Sequence, residues 1–172
     1  MKTVDTVRRI KKASDLNQIQ GLTRKILGEP CWNAHLSYGD ELCLDIGKKI
    51  PYTQKVMLGK EKGSWILGCR ASQWILESQD KAIASSQLAP EGIEREVKVV
   101  EGSKITRFEI GYPDLILIVS FSNGCQLKIF PDLEDLDLSY WELFTPDAML
   151  LEMGPGRIWS YCRADVPTGA AS

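Results

Sequence analysis

Histidine is nearly absent: His35 is the only one in 172 residues. Imidazoles that titrate near neutrality supply most general acid–base pairs and many metal ligands, so such chemistry has little to draw on here. Cysteine is present but unpatterned. The five thiols (Cys31, Cys43, Cys69, Cys125 and Cys162) are odd in number and never spaced C-x-x-C, which reads as reduced core thiols and excludes a disulfide framework or a zinc knuckle. The longest wholly apolar run, Leu115 to Val119, is far short of the roughly 20 residues a membrane helix needs. The first residues, MKTVDTVRRIKK, are charged throughout and lack the apolar core of a signal peptide, so the expected location is the cytoplasm. Neither a phosphate loop (G-x-x-x-x-G-K-[ST]) nor a G-x-S-x-G nucleophile elbow occurs; GKEKGS at 59–64 has the residues in the wrong order. No cofactor and no metal are expected.

Net charge is also small, at −2, which argues against nucleic acid as a partner. Its distribution is uneven. Residues 1–62 carry 12 Lys/Arg against 7 Asp/Glu, while the remainder carries 9 against 16. The stretch from Asp132 to Glu142 holds five acids and no Lys or Arg. It is not an EF-hand loop: counted from Asp132 the sixth position is Asp137 and the twelfth Leu143, where Gly and Glu are required. A solvated loop is the plainest reading, and a recognition surface for a basic protein is the functional one, carried by Asp132, Glu134, Asp135 and Asp137.

What the chain does contain is self-similarity. LTRKILGEPCWNAHLSYGDELCLDI from Leu22 aligns without gaps on ITRFEIGYPDLILIVSFSNGCQLKI from Ile105, with seven identities in 25 positions, Thr23/Thr106 among them. GSWILGCRASQWILES (63–78) then aligns on SYWELFTPDAMLLEMG (139–154), placing Trp65 on Trp141 and Leu67 on Leu143. The expected fold is α+β, predominantly antiparallel β. Two tandem units, 1–80 and 81–172, would each be a short helix plus about five strands, packed as one globule. Thr3–Lys12 and the segment after Pro90 are the expected helices, the latter with Ile93, Val97 and Val100 on one face. Residues 22–27 are expected to be a strand because their partner alternates as one. Hairpins are expected at Asn123-Gly124, as a type I′ turn, between Trp65–Cys69 and Trp74–Glu77, and between Trp141–Phe144 and Met149–Met153. Leu115–Val119, apolar on both faces, should be covered on both, whereas Asn33, His35 and Ser37 leave one face of their strand polar and open to a ligand.

GEPCWNAHLSYGDELCLDIG, GSWILG with the following WIL, and YWELFTPDAMLLEMGPG resemble a group of uncharacterised bacterial domains. There a Gly-x-Pro-x-Trp hairpin is followed by a W-x-L strand, a helix and a second copy ending in W-x-L-x-x-P-[DS]-G. Some members are similar to proteins encoded beside contact toxins, so the resemblance implies an immunity role and brings no catalytic motif. This chain has Ala148 where that pattern has Gly.

Three functions follow as expectations. The first is a non-enzymatic module that binds a macromolecule, with the acidic loop and the Asn33/His35/Ser37 face as its surfaces. The second is a small-molecule binder with a pocket between the units. The third is a hydrolase built on carboxylates that converge from the two halves.

Overall fold

Alternation of apolar and polar residues dictates most of the architecture. In Glu61–Cys69, Trp65, Leu67 and Cys69 are buried while Lys62, Ser64, Ile66 and Gly68 are half-exposed. Met149–Met153 buries Met149, Leu151 and Met153 in the same way. A period of two gives a strand with one face in the core. The chain is seen in a computed structural model that describes residues 5–37, 39–53, 55–70 and 72–164. Those residues form twelve strands: β1 Thr6–Arg9, β2 Pro30–Leu36, β3 Leu42–Pro51, β4 Glu61–Cys69, β5 Gln73–Ser78, β6 Lys81–Ser85, β7 Ser103–Ile110, β8 Leu117–Phe121, β9 Cys125–Phe130, β10 Trp141–Phe144, β11 Met149–Met153 and β12 Ile158–Arg163. Two short helices accompany them, α1 Asn17–Thr23 and α2 Pro90–Glu96. The fold is α+β and predominantly antiparallel β.

The strand order is β1-β12-β11-β10-β4-β3-β2-β7-β8-β9-β5-β6, antiparallel at every step. The sheet is pinched at β2–β7, where only Pro30↔Lys104 and Cys31↔Ser103 pair. Beyond that point β2 turns its edge to a 3-10 turn at Val97–Val100 and the residues after it. There Glu101 accepts from the Ala34 amide (3.0 Å) and Lys98 Nζ donates to the Ala34 carbonyl (2.7 Å). These side chains stand in for the missing strand and satisfy an otherwise open edge. The two halves of the sheet enclose one apolar cluster containing Trp65, Trp74, Trp141 and Trp159. Phe108 from one half meets the Trp141 ring edge-on at 5.8 Å and 83°, the geometry aromatic quadrupoles favour.

Several sequence expectations hold. Ile93, Val97 and Val100 are buried at helical spacing, and Pro90 opens α2. Trp65 and Trp141 are core, and β10 pairs with β11 as expected. Others need correction. Residues 22–27 are not a strand: α1 ends at Thr23 and a 3-10 turn covers Arg24–Ile26, burying Leu16, Ile19, Thr23 and Ile26. That spacing is helical and outweighs the strand character of residues 105–110. Thr23 therefore ends a helix, whereas Thr106 lies in β7. The segment expected as the first helix contains β1, paired with β12 (Thr6↔Tyr161), and Val7 of its apolar stripe is 66% exposed; residues 1–4 lie outside the described residues.

β4 and β5 do not form a hairpin. The Arg70 amide (3.3 Å) and the Ser72 hydroxyl (2.8 Å) both donate to the Tyr140 carbonyl, and the chain then leaves β4 to pair β5 with β9. The turn at Asn123 is a three-residue loop in which only Gly124 takes positive φ (+90°), so it is not type I′. Leu115–Val119 is covered on one face: Leu115, Leu117 and Val119 are buried, Ile116 and Ile118 half-exposed. Residues 154–157 join β11 to β12. Gly154 is obligatory there, with φ +78° and the Tyr140 ring 2.8 Å from where a Cβ would stand.

Candidate functional site

The loop between β9 and β10 is organised by its own acids. Asp132 Oδ1 accepts the Glu134 amide at 3.0 Å, and Asp135 Oδ1 accepts the amides of Asp137 (2.8 Å) and Leu138 (3.1 Å). These are Asx-type turns, in which a short side chain replaces a backbone acceptor. Leu133 packs inward on the core, while Leu136 and Leu138 point out, 73% and 54% exposed. Among the described residues none of Asp132, Glu134, Asp135 and Asp137 has a Lys or Arg partner. Asp132 and Asp135 thus hold the loop's shape, and Glu134 and Asp137 present its charge beside two leucines.

That charge continues onto the sheet. Strand register lines up one rung on the outward face: His35↔Cys43, Cys43↔Gly68, Gly68↔Glu142, Glu142↔Glu152 and Glu152↔Ser160. Ser139, at the end of the acidic loop, hydrogen-bonds Glu152 and ties loop to rung. Arg70 lies between Glu41 (3.6 Å) and Glu142 (3.8 Å). Burial is the main cause that raises the Glu142 carboxyl above its ordinary value; Arg70 opposes this, and Glu152 and Glu41 add to it. Two carboxylates thus share one guanidinium, with Glu152 opposite Glu142 on the next strand, and Gly68 leaves a notch in front of Glu142, whose Cγ lies 3.6 Å from where a Cβ would be.

The predicted polar face of β2 is real but differently composed. A bulge skips Trp32, so that Cys31 pairs with Ile46 and Asn33 with Asp45. Asn33 Nδ2 lies 3.1 Å from His35 Nδ1 and donates to Asp45 Oδ2 at 2.9 Å, while Asp45 Oδ1 accepts the Gly63 amide at 2.9 Å. Asp45 is 5% exposed, and these two donors are what let its carboxylate stay buried. His35 Nδ1 is 3.8 Å from Asp45 Oδ2. Ser37 lies past the end of the strand and contacts Glu41 Oε2 at 3.4 Å. Asn33 and His35 are therefore one cluster, from which Ser37 and the 132–137 loop are separate.

Sequence reasoning missed Asp45, Glu41, Arg70 and Glu152. Alternation did hold a signal for Glu142 and Glu152: each is flanked by core residues, and the Thr145–Ala148 turn fixes the register that opposes them. Burial, with Asp45 and Glu142 adding to it, pushes Cys43 up to about 12, and burial does the same to Cys31. Among the described residues no three His, Cys, Asp or Glu side chains are placed to hold a metal ion, and no helix is long and apolar enough to cross a membrane.

The chain thus falls in the class of predominantly antiparallel α+β proteins. No family model matches it, and neither a curated protein nor a solved structure is significantly similar to it.

Proposed function

We propose that this protein acts without catalysis, by binding a basic protein partner on the acidic surface formed by the 132–138 loop and the Glu41, Glu142 and Glu152 carboxylates. The observation that carries this reading is the direct opposition of Glu142 and Glu152 on neighbouring strands. Like charges set opposite each other destabilise a sheet, and an outside cation would relieve them. The exposed Leu136 and Leu138 supply apolar contact inside a charged rim, the composition expected of a recognition patch. An immunity-like role, implied by the resemblance, is one form of this activity.

The internal duplication belongs to the same reading. The β2–β3 and β8–β9 hairpins fall on aligned residues, and Leu67 and Leu143, aligned in the repeat, are cross-strand partners. Thr23 at the end of α1 against Thr106 in β7, and a β10–β11 hairpin that β4 and β5 do not match, weigh against the duplication. Hydrolysis by carboxylates from the two halves draws support from Glu41 and the raised Glu142, which share Arg70.

Zero-length carbodiimide coupling in the host cell, followed by mass spectrometry, tests the first reading. The expected products join Glu134, Asp137 or Glu152 to lysines of a basic protein. Products confined to acids elsewhere, such as Glu61, Glu91 or Glu94, would refute it.

A further inference from the structure

A groove of 630 Å³ opens on the same outward face but at the Phe144 end of β10, away from the acidic loop. It lies between the segment 50–66 and the β10–β11 turn, and Ile50, Ile66, Phe144 and Ala148 make it largely apolar. Its volume falls in the range of small-molecule sites. Two of its polar groups are already committed: Ser64 Oγ accepts the Lys48 amide at 3.1 Å, and Thr145 Oγ1 accepts the Met149 amide at 3.4 Å. Two are not. Lys62 is half-buried, lies with Nζ 5.4 Å from the centroid of the Tyr52 ring, and has no carboxylate partner among the described residues. The Tyr52 hydroxyl makes no hydrogen bond there either, and burial raises it further above its ordinary value, so it stays a donor. Among the described residues of the lining, Lys62 is the charged one. The nearby Asp45 carboxylate is turned to Asn33 and Gly63.

An apolar trough whose ammonium and hydroxyl have no carboxylate or hydrogen-bond partner among the described residues selects a ligand by shape and by sign of charge. We infer that this groove binds a small organic monoanion with an apolar body, such as an aromatic sulfonate or a medium-chain carboxylate. Its charge sits on Lys62 and the Tyr52 hydroxyl, and its body lies against Ile50, Ile66 and Phe144. This site is distinct from the proposed partner surface, and either can fail without the other.

The probe is 8-anilinonaphthalene-1-sulfonate, titrated into the full chain by fluorescence and competed with octanoate, octylammonium and octanol. Methyl NMR of Ile50, Ile66 and Ala148 reports the place of binding. One saturable site is expected, displaced by octanoate and not by octylammonium. Lys62→Gln should weaken the sulfonate and octanoate about tenfold, a difference of about 1.4 kcal/mol, and leave octanol unchanged; Lys62→Arg should retain binding. Tyr52→Phe should weaken the anions by a smaller factor. No saturable binding, equal binding by octylammonium, undiminished affinity in a folded Lys62→Gln protein, or methyl shifts outside the groove would each overturn the inference.

Discussion

Glu142 and Glu152 face each other across β10 and β11; of the two, it is Glu142 that Arg70, which also pairs with Glu41, reaches, at 3.8 Å. The pair sits at the junction of sheet and acidic loop, because Ser139 from the loop bonds Glu152. Like charges opposed in this way destabilise a sheet relative to a neutral pair.

Stability should register that opposition through pH. Burial, assisted by Glu152 and Glu41, raises the folded-state value of Glu142 above 4.5. The stabilising contribution of protonated Glu142 is therefore complete below the unfolded value and lost as pH rises through the folded one. Glu142→Gln should match the parent at pH near 4 and exceed it at neutral pH by about 0.5 kcal/mol. Thermal unfolding at both pH values checks this; a destabilised variant at neutral pH would mean that the Arg70 pair outweighs the repulsion.

Asp45 should behave oppositely, as a structural acid. Asp45→Ala leaves the Asn33 amide and the Gly63 amide without their acceptor, at a cost of about 2–3 kcal/mol. His35→Ala, at a half-exposed residue 3.8 Å from the carboxylate, should cost less than about 0.5 kcal/mol. Denaturant titration of both variants separates a cluster built for folding from one built for chemistry.

Ala148 occupies the left-handed region at φ +59°. An L-residue there is strained by about 1–2 kcal/mol, and glycine is not. Ala148→Gly should raise the melting temperature by about 2–4 °C. An unchanged or lowered value would show that the turn is not held in that conformation.

Alkylation should rank the thiols. Cys31 and Cys43 are pushed up to about 12, Cys69 is buried and well raised, and Cys162 is raised less and half-exposed. Because the thiolate is the reactive form, iodoacetamide at mildly alkaline pH should modify Cys162 before Cys31, Cys43 and Cys69. Early labelling of Cys43 would contradict the environment described for it.

Alternation disclosed the faces of the strands but not their neighbours. Trp65 and Leu67 were legible as core, yet nothing in Trp65–Glu77 says that β5 departs to β9, because that choice rests on Tyr140 holding Arg70 and Ser72 from far along the chain. Leu16, Ile19, Thr23 and Ile26 are spaced as on a helix, a local signal that the alignment with residues 105–110 hides. The acidic loop was legible because its residues are contiguous. The rung was not, since Glu41, Arg70, Glu142 and Glu152 meet only through strand register. The bulge at Trp32 hid Asp45, for it alone decides which β3 residue Asn33 faces.

The central claim rests on the acidic surface, and quantitative capture from host lysate tests it most directly. The bait pair is the parent chain and a Glu134→Ser, Leu136→Ser, Asp137→Ser, Leu138→Ser variant, which spares the turn-forming Asp132 and Asp135. The account predicts equal melting temperatures, enrichment of a basic protein by the parent alone, and loss of that enrichment as salt screens the contact. Equal enrichment of that protein by both baits, or a captured partner that is acidic and indifferent to salt, would contradict it.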